Sequence, residues 1–330
     1  MGRPSVAPNP PVGSILVWKD RIIGEGFHQA HGEAHAEVNA ISSVREEDRD
    51  KLSSSSLYVS LEPCNHHGRT PPCTELILRT GIPRVVIGSR DPYKSSKGGG
   101  VEYLRSHGVT VELVEQHQSS ELTYFSTSIV SNRPRVILKF AVSRYGFIGR
   151  KDGQVRLSNP ISQRRVHALR AQSQAIMVGT NTIQIDNPRL NIRKYFGTPP
   201  VIVVLDRRAR LQGDEKVFQA PRVIYVTEDK NLPKTMETEA GIKTIRTNDW
   251  EISVLLQRLY AEGLRSIFVE GGQQLIEAFV GANCWDECYE IMTRSHLKQG
   301  VKAPRFGARS LLNSWNVRDD IWNHYLPIKS

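Results

Sequence analysis

Short apolar, β-branched runs alternate along the first part of the chain with segments whose apolar positions recur at helical spacing. The runs Gly13–Val17 and Arg21–Gly24 flank Lys19-Asp20 and predict a β-hairpin. Further strands are predicted at residues 57–61, 84–88 and 109–114, helices at residues 35–46 and 73–80, and a surface loop at residues 94–100. In the first of these helices, Val38 and Ile41 are three positions apart, which predicts one helix face.

The same alternation restarts after residues 131–134, so we place a first domain at residues 1–132 and a second domain at residues 133–330. Residues 135–142 (RVILKFAV) predict a strong strand at the start of the second domain. Further strands are predicted at residues 175–179, 200–205, 222–227 and 266–270, and helices at residues 160–173, 250–262 and 273–280. Alternating strands and helices predict the α/β class, with layered sheets, for both domains.

The composition is that of a globular protein, because 39% hydrophobic and 24% charged residues argue against the disordered and fibrous classes. A net charge of +10 favours an acidic partner, which is a nucleic acid, a membrane surface or a phosphorylated small molecule. Four cysteines are too few for a disulfide scaffold and fit a reducing compartment. There is no apolar signal segment and no apolar run of membrane length, so we expect a cytoplasmic protein without a membrane partner.

One histidine and two cysteines have the composition of a catalytic zinc site. His35 stands two residues before Glu37, and Cys64 and Cys73 follow at a predicted strand end and a predicted helix start. An imidazole and two thiolates leave the fourth tetrahedral position open for a water, whose pKa the metal lowers to about 7. Glu37 is then the candidate that carries protons from this water to a leaving amine. Residues i and i+2 point to different faces of a regular helix, so the His35–Glu37 pair is expected at a helix entry.

The order His-x-Glu followed by Pro-Cys is the signature of zinc deaminases, except that the second cysteine follows after nine residues instead of three. The longer segment adds His66, His67 and Arg69 as candidate substrate contacts. The alternative interpretation is a helix with a surface histidine and glutamate, beside two unrelated buried thiols.

In the second domain, Glu270-Gly271-Gly272 follows a predicted strand and precedes a predicted helix. Two glycines let the backbone approach a ligand, and the N–H groups of the helix then face an anion. Many α/β turns share this pattern without binding anything, so both interpretations stay open. Arg207, just after a predicted strand, is a candidate for the 2′-phosphate of a dinucleotide, since cofactor choice often depends on such an arginine.

Several longer segments carry a resemblance: PNPPVGSILV, HAEVNA and LYVSLEPCNHHGRTPPCTE in the first domain, and LKFAVSRYGFI, HALRAQSQAIMVGTNTIQIDNPRLNIR, VVLDRR and FVEGGQQLIEAF in the second. They resemble the bifunctional deaminase/reductase family of riboflavin biosynthesis, the RibD type, over nearly the whole chain. The resemblance implies a cytidine-deaminase-like three-layer α/β/α domain followed by a dihydrofolate-reductase-like α/β domain. It also implies two reactions: zinc-dependent deamination of 2,5-diamino-6-(5-phosphoribosylamino)pyrimidin-4(3H)-one, and NADPH-dependent reduction of the product's ribosyl group to ribityl.

The resemblance further implies roles for individual residues. His35, Cys64 and Cys73 would bind zinc, and Glu37 would transfer protons. The positions that match substrate contacts of the family are Asn9, His28, His66, Arg69, Lys139, Arg170, Leu190, Arg193 and Glu270. The positions that match cofactor contacts are Ala141, Arg156, Thr182, Asp186, Gly272, Gln273 and Gln274. Without the resemblance, single arginines and histidines of this kind are commonly exposed surface residues, and Lys139 reads equally well as part of an edge strand.

The sequence also departs from the family pattern. Family members carry a further helix before the PNP segment, whereas this sequence opens almost at Pro8-Asn9-Pro10, so we expect the deaminase domain to lack one layer. Tyr145 stands where the family usually has an aspartate, and Arg156 stands where many members have a tryptophan.

Two other functions compete with the bifunctional enzyme. A nucleic-acid deaminase would fit the basic charge, but no aromatic residues alternate with a basic run near Cys64–Cys73. A non-catalytic or single-activity relative that binds a pathway metabolite would fit Tyr145 and the early start of the sequence. We expect a phosphorylated pyrimidine as the partner rather than a nucleic acid, Zn²⁺ and NADPH as cofactors, and, as in the family, a homo-oligomer.

Overall fold

A computed structural model describes residues 6, 8–67, 71–92, 99–114, 120–229 and 241–328. The chain divides into two compact units, Met1–Asn132 and Arg133–Ser330. Each unit has its own sheet and its own hydrophobic core. Within the described residues, no helix has both the length and the apolar character that a membrane crossing requires.

In the described part of the first unit there are one five-stranded sheet and four α-helices. Its elements are β1 (Gly13–Trp18), β2 (Arg21–Phe27), α1 (Ala36–Ser42), β3 (Ser56–Val59), α2 (Cys73–Thr80), β4 (Arg84–Ile87), α3 (Gly100–Ser106), β5 (Thr110–Leu113) and α4 (Ser120–Ser131). The strand order is β2-β1-β3-β4-β5. β1 pairs antiparallel with β2 and β3, whereas β3, β4 and β5 run parallel.

The predicted hairpin is present, and its turn has a clear physical cause. Lys19 and Asp20 both have positive φ, 45° and 62°. Two such residues form the kind of two-residue turn whose twist matches the flanking antiparallel strands. The predicted loop at residues 94–100 is wrong at its end, because α3 begins at Gly100; residues 94–98 lie outside the described residues.

The first predicted helix is shorter than expected and buries a different face. α1 ends at Ser42, and a 3₁₀ segment (Glu46–Ser54) follows it. Ala36 and Ala40 are fully buried, whereas Val38 is only half-buried. Small side chains lie on this face because α1 packs closely against β2, as described below.

The core of the first unit lies on one face of its sheet. Leu16, Leu57, Val85 and Val111 are register partners across β1, β3, β4 and β5, and all four are buried. They pack in one cluster with apolar residues of α1, α2 and α3, namely Ile41, Ile77, Val101 and Leu104.

The second unit is built on a nine-stranded sheet. Its elements are β6 (Arg135–Val142), β7 (Phe147–Gly149), α5 (Pro160–Gln172), β8 (Ala175–Gly179), α6 (Thr180–Asp186), β9 (Val201–Leu205), β10 (Val223–Thr227), β11 (Ile242–Arg246), α7 (Ile252–Ala261), β12 (Ser266–Val269), α8 (Gln273–Gly281), β13 (Glu287–Met292), β14 (Val301–Lys302), β15 (Arg309–Val317) and β16 (Asp320–Pro327). The large sheet has the order β11-β10-β9-β8-β12-β6-β13-β16-β15, and β7 pairs separately with β14.

The position of β6 in this sheet decides between the two interpretations of Lys139. β6 lies between β12 and β13 and runs parallel to both, so the edge-strand interpretation is wrong. A buried strand of this kind is apolar along its whole length, as its sequence RVILKFAV is apart from Arg135 and Lys139. A lysine in the middle of such a strand needs a partner, and the structure supplies one, as described next.

Candidate active sites

Three side chains of types that can bind a metal ion converge in the first unit. The ligand atoms of His35, Cys64 and Cys73 all lie within 4.8 Å of one another. The Nδ1 atom of His35 is 3.5 Å from the Sγ atom of Cys64 and 3.3 Å from that of Cys73. One imidazole nitrogen and two thiol sulfurs at these distances fit a tetrahedral zinc ion that keeps one position open.

Each of these side chains sits at the end of an element. His35 is the N-cap residue of α1, and Cys73 is the first residue of α2. Cys64 lies in the loop after β3, and its sulfur accepts a hydrogen bond of 3.3 Å from the backbone N–H of Cys73. The N-terminus of a helix favours a thiolate, so this arrangement prepares Cys64 to act as an anionic ligand.

The two thiols share one proton between them. A hydrogen bond from the Cys73 thiol lowers the pKa of Cys64 to about 4, and a second from His35 adds to the effect. The same bond raises the pKa of Cys73, because its proton is then held against the Cys64 sulfur. Of the two sulfurs, that of Cys64 is therefore the one whose surroundings favour the anionic form.

Glu37 lies where the sequence places a proton carrier. It is the second residue of α1, so the pair His35–Glu37 does occupy a helix entry. Only 4% of Glu37 is exposed, and burial raises the pKa of its carboxyl to about 7. A carboxyl with this pKa can both take up and release a proton at neutral pH.

Two glycines on β2 let α1 come close enough to place His35 and Glu37. A Cβ atom added to Gly26 would lie 2.3 Å from the backbone nitrogen of Ala40, and one added to Gly24 would lie 2.5 Å from the Ala40 oxygen. Asn39 ties the helix to the same strand, since its Nδ2 donates to the Phe27 carbonyl at 2.8 Å. A side chain on either glycine would push the helix, and the site with it, off the sheet.

A cavity of about 260 Å³ opens onto the metal-binding set. The sequence-predicted residues that line it are Asn9, His28, His35, Glu37, Cys64 and His66. His67 does not line it; its side chain is 72% exposed and lies 3.4 Å from Glu75. Arg69 lies outside the described residues.

His28 and Asn9 form the polar wall of this cavity. The Nδ1 atom of His28 bonds the Ala34 carbonyl at 3.0 Å, and its Nε2 atom is 3.1 Å from Nδ2 of Asn9. Only a neutral ring with its proton on Nδ1 satisfies both contacts, and burial lowers the pKa of His28 accordingly. Asn9 therefore donates to His28 and keeps its amide oxygen for other contacts.

Sequence reasoning missed several residues that line or support the cavity. His31, Glu33, Glu62 and Asp91 also line it. Glu62 acts as a brace: its carboxylate accepts from the backbone N–H groups of Val101 at 3.0 Å and of Asp91 at 3.2 Å. The signal in the sequence was its position directly before Pro63-Cys64. A carboxylate buried there needs hydrogen-bond donors around it.

In the second unit, a buried carboxylate collects two cations. Arg170 bonds both oxygens of Glu270, with Nη2 3.0 Å from Oε2 and Nε bonded to Oε1. The Nζ atom of Lys139 is 3.6 Å from Oε2 of Glu270. Burial alone would raise the pKa of Glu270, but the two cations outweigh it and lower that pKa to about 2. Burial also lowers the pKa of Lys139.

The remaining predicted substrate residues of this unit lie around that cluster. Nη1 of Arg170 donates to the Asn191 carbonyl at 2.9 Å, and Nη1 of Arg193 donates to the Asn191 side chain at 2.7 Å. Leu190 is buried and has a positive φ of 50°, a strained conformation for a branched residue. Asn191, which sequence reasoning missed, therefore holds both arginines from the residue after Leu190.

The predicted cofactor residues fall into two groups. Gly272 is the N-cap residue of α8, and a Cβ atom added to it would lie 3.2 Å from Oγ1 of Thr182. Gln273 and Gln274 begin α8, and Asp186 ends α6, where burial raises the pKa of its carboxyl. Ala141 lies on β6, and Arg156 is exposed. Arg207 is bonded to Glu228 instead.

Comparison with known proteins agrees with this division into two sites. Residues 3–89 match the family model "Cytidine and deoxycytidylate deaminase zinc-binding region", and residues 134–292 match the model "RibD C-terminal domain". The riboflavin biosynthesis protein RibD of Aquifex aeolicus is 33% identical over 94% of this chain and 88% of its own length. The Escherichia coli RibD protein is 31% identical over 87% of this chain and 82% of its own.

Solved structures give the same result for the fold. One of them is a protein of Thermotoga maritima, which matches with a TM-score of 0.89. It is described as a diaminohydroxyphosphoribosylaminopyrimidine deaminase/5-amino-6-(5-phosphoribosylamino)uracil reductase. It is 33% identical and covers 99% of this chain and 95% of its own. A structure of Acinetobacter baumannii RibD matches with a TM-score of 0.86 at 29% identity, over 98% and 94% of the two chains.

Proposed function

Because the chain belongs to the RibD family of bifunctional enzymes of riboflavin biosynthesis, we propose that its residues 1–132 deaminate the diaminopyrimidine ribosyl phosphate and its residues 133–330 reduce the deaminated product. The observation that carries the first activity is the convergence of His35, Cys64 and Cys73 beside the buried carboxyl of Glu37. The observation that carries the second is the Lys139–Glu270–Arg170 cluster.

The deaminase site fits zinc by the chemistry of its donors. Nδ1 of His35 and the Sγ atoms of Cys64 and Cys73 would hold the ion. When bound, zinc supplies a Lewis acid that lowers the pKa of a water. Glu37 takes a proton from the attacking water on its carboxylate and gives it to the leaving amino group, which departs as ammonia while the water oxygen stays on the pyrimidine carbon. Asn9 and His28 form a fixed polar wall against which the pyrimidine is oriented.

The reductase site fits a phosphorylated ribosyl substrate. Thr182, Gly272, Gln273 and Gln274 would hold NADPH, which would supply the hydride that reduces the ring-opened imine form of the ribosyl group at C1. The chain supplies the position and the proton: Lys139, with its lowered pKa, donates a proton to the imine nitrogen. Glu270 stays ionised and holds Lys139 and Arg170 in place. Arg193, held by the Asn191 side chain, binds the phosphate, whereas the guanidinium of Arg170 is taken up by Glu270 and the Asn191 carbonyl and positions that carboxylate.

Two variants test the two activities independently of each other. Glu37→Gln keeps the size of the side chain but cannot carry a proton, so ammonia release should fall about 100-fold or more while NADPH oxidation with the deaminated substrate is kept. Lys139→Met should give the opposite pattern. Glu46→Gln, which changes a 91% exposed carboxyl of the 3₁₀ segment outside the cavity, is the matched control and should stay within twofold of wild type. Ammonia release by Glu37→Gln at the wild-type rate would refute the assignment of Glu37 as the proton carrier.

We also propose that the enzyme acts in the cytoplasm, as a homo-oligomer, on small phosphorylated pyrimidines rather than on nucleic acid. Four free cysteines suit a reducing compartment, and the net charge of +10 suits a phosphorylated substrate. Light scattering on the purified protein tests the oligomer, and a single-stranded oligonucleotide tests the substrate class. Ammonia release from the oligonucleotide at the rate of the pyrimidine would contradict the proposal.

A further inference from the structure

The parallel strands of the second unit order its ligand groups along one edge of the sheet. β9, β8, β12 and β6 are consecutive neighbours and all run parallel, so their carboxyl ends meet at the same edge. In sheets of this kind, ligands bind outside the carboxyl ends of the strands. This step rests on the NADPH site proposed above.

The order of the strands fixes which end of the cofactor lies where. Lys139, the proposed proton donor, lies on β6, and its partner Glu270 is the residue after β12. Gly271 and Gly272 follow β12, and Thr180 begins α6 directly after β8. A dinucleotide with its nicotinamide at β6 and its diphosphate at the glycines then extends its adenosine end towards β9. From β6 to β9 there are three strand spacings, about 14 Å, which an extended dinucleotide spans.

The loop after β9 carries three arginines, Arg207, Arg208 and Arg210, and within the described residues Arg207 is the one that forms an ion pair. Its Nε atom donates to Oε2 of Glu228 at 2.8 Å, and its guanidinium lies 5.8 Å from the ring centre of Trp250. Glu228 follows β10 and Trp250 precedes α7, so Arg207 is held on the side of the loop away from β8. A carboxylate next to it also opposes the approach of a phosphate.

Arg210 points the other way, towards the glycines. Its Nη2 atom donates to Oδ1 of Asn181 at 2.9 Å, and Nδ2 of Asn181 donates to Oε1 of Gln274 at 3.3 Å. The chain of contacts therefore runs from the β9 loop through α6 to the start of α8. Its members are neutral amides, and in the parts of the chain that the structure describes Arg210 forms no ion pair.

The buried carboxylate of Asp206 fixes the loop that presents Arg210. It accepts from the backbone N–H of Leu211 at 2.9 Å, from Thr180 Oγ1 at 2.9 Å and from Tyr225 OH at 2.9 Å. Ala209 has a positive φ of 46°, which reverses the chain just before Arg210. The fixed backbone of this loop therefore determines where the exposed side chain of Arg210 points.

We propose that Arg210, and not Arg207, recognises the 2′-phosphate of NADPH and sets the preference for NADPH over NADH. The phosphate adds two charge-assisted hydrogen bonds to a guanidinium that has only an amide partner, and NADH offers nothing in their place. Arg207, paired with Glu228, adds little.

The test compares Arg210→Gln with Arg207→Gln in the full chain. Isothermal calorimetry with adenosine 2′,5′-bisphosphate measures binding without turnover, and steady-state kinetics give KM for NADPH and NADH. In Arg210→Gln we expect the Kd for the bisphosphate and the KM for NADPH to rise about 10- to 100-fold. The kcat and the KM for NADH should stay within twofold, and Arg210→Lys should recover part of the loss.

The outcomes separate this assignment from the reductase function itself. A larger NADPH-selective loss in Arg207→Gln than in Arg210→Gln would overturn it, as would an equal rise in KM for both cofactors. If the wild-type protein binds the bisphosphate but neither variant weakens it, the assignment fails while the reductase function stands. A wild-type protein that binds no NADPH would refute the reductase function, and this assignment with it.

Discussion

Arg170 of α5 and Glu270, the residue after β12, form a two-point ion pair in the interior of the second unit. The two side chains are 12% and 10% exposed, and one hundred positions separate them along the chain. The pair therefore fastens α5 to the sheet next to the glycines of α8. It also leaves Glu270 ionised, as a positioning group for Lys139.

Removing one member of this pair should cost far more than removing a surface pair. In Arg170→Met we expect the unfolding free energy of the second unit to fall by about 3 kcal/mol, because Glu270 stays buried with less compensation. The measurement is a urea titration, followed at the transition that NADPH shifts. The control is Lys243→Met, since the Lys243–Glu262 pair is largely exposed at Lys243 and should cost below about 1 kcal/mol. Equal losses in the two variants would contradict the role of the buried pair.

Replacing a single residue of the proposed metal set should be enough to remove the zinc. Cys73→Ser removes a soft sulfur ligand, so we expect the zinc content of the purified protein to fall from one per chain to almost none, together with ammonia release. NADPH oxidation should persist, because the other unit has a core of its own. Cys284→Ser, half-buried and outside the set, is the control and should keep its zinc. Full zinc content in Cys73→Ser would show that this sulfur is not a ligand.

Gly26→Ala tests whether the packing of α1 on β2 holds the site. The added Cβ atom would meet the backbone of Asn39 and Ala40 at 2.6 and 2.3 Å, and a helix backbone cannot yield as a side-chain tip does. We expect this variant to lose zinc and to destabilise the first unit by about 1–3 kcal/mol. Gly13→Ala on the neighbouring strand has nothing within 4 Å and should bind zinc as wild type does. Metal analysis and thermal melting of both variants decide the question; a zinc-replete Gly26→Ala would contradict the model of close packing.

His167 should make the second unit sensitive to acid. It is 4% exposed, its Nδ1 atom has no hydrogen-bond partner in the described residues, and burial and the neighbouring Arg170 lower its pKa to about 4. Arg193 and Lys194 act in the same direction, whereas Glu270 opposes them. The unfolded chain takes up a proton near the ordinary pKa of about 6.5, but the folded chain does so only near 4. Stability is thus lost as pH falls between these values.

The comparison is with His167→Gln, which cannot titrate. We expect the wild type to melt higher than the variant near neutral pH and the difference to shrink as the pH is lowered from about 6.5 to about 4. Melting curves across this range, read at the transition that NADPH shifts, give the result. Parallel curves for the two proteins would show that His167 does not titrate on unfolding.

The sequence predicted best those features that depend on local chemistry. The hairpin followed from two residues between alternating runs, and the metal set followed from donor types at strand and helix ends, so both were visible without a fold. The strands β13 to β16 were not predicted individually, because β15 is mostly exposed and carries no apolar alternation. Their pairing depends on distant register, which no local pattern encodes.

The same limit applies within the sites. Glu62 and Asn191 act through contacts that only the folded chain brings together, and neither has a chemical type that stands out in the sequence. The sequence pointed to Arg207 because it stands just past a strand end. Its ion pair with Glu228, which follows the next strand of the sheet, was not visible in the sequence, because this contact depends on the order of strands.

The separation of His35, Cys64 and Cys73 along the chain has a consequence for stability. His35 is 29 positions from Cys64 and 38 from Cys73, so an ion held by all three would close two loops of the chain at once. Closing such loops removes conformational freedom from the unfolded chain, much as a covalent cross-link does. Removing zinc with a chelator should therefore destabilise the first unit as well as abolish its deaminase activity. The supply of zinc would then govern how long this unit resists proteolysis.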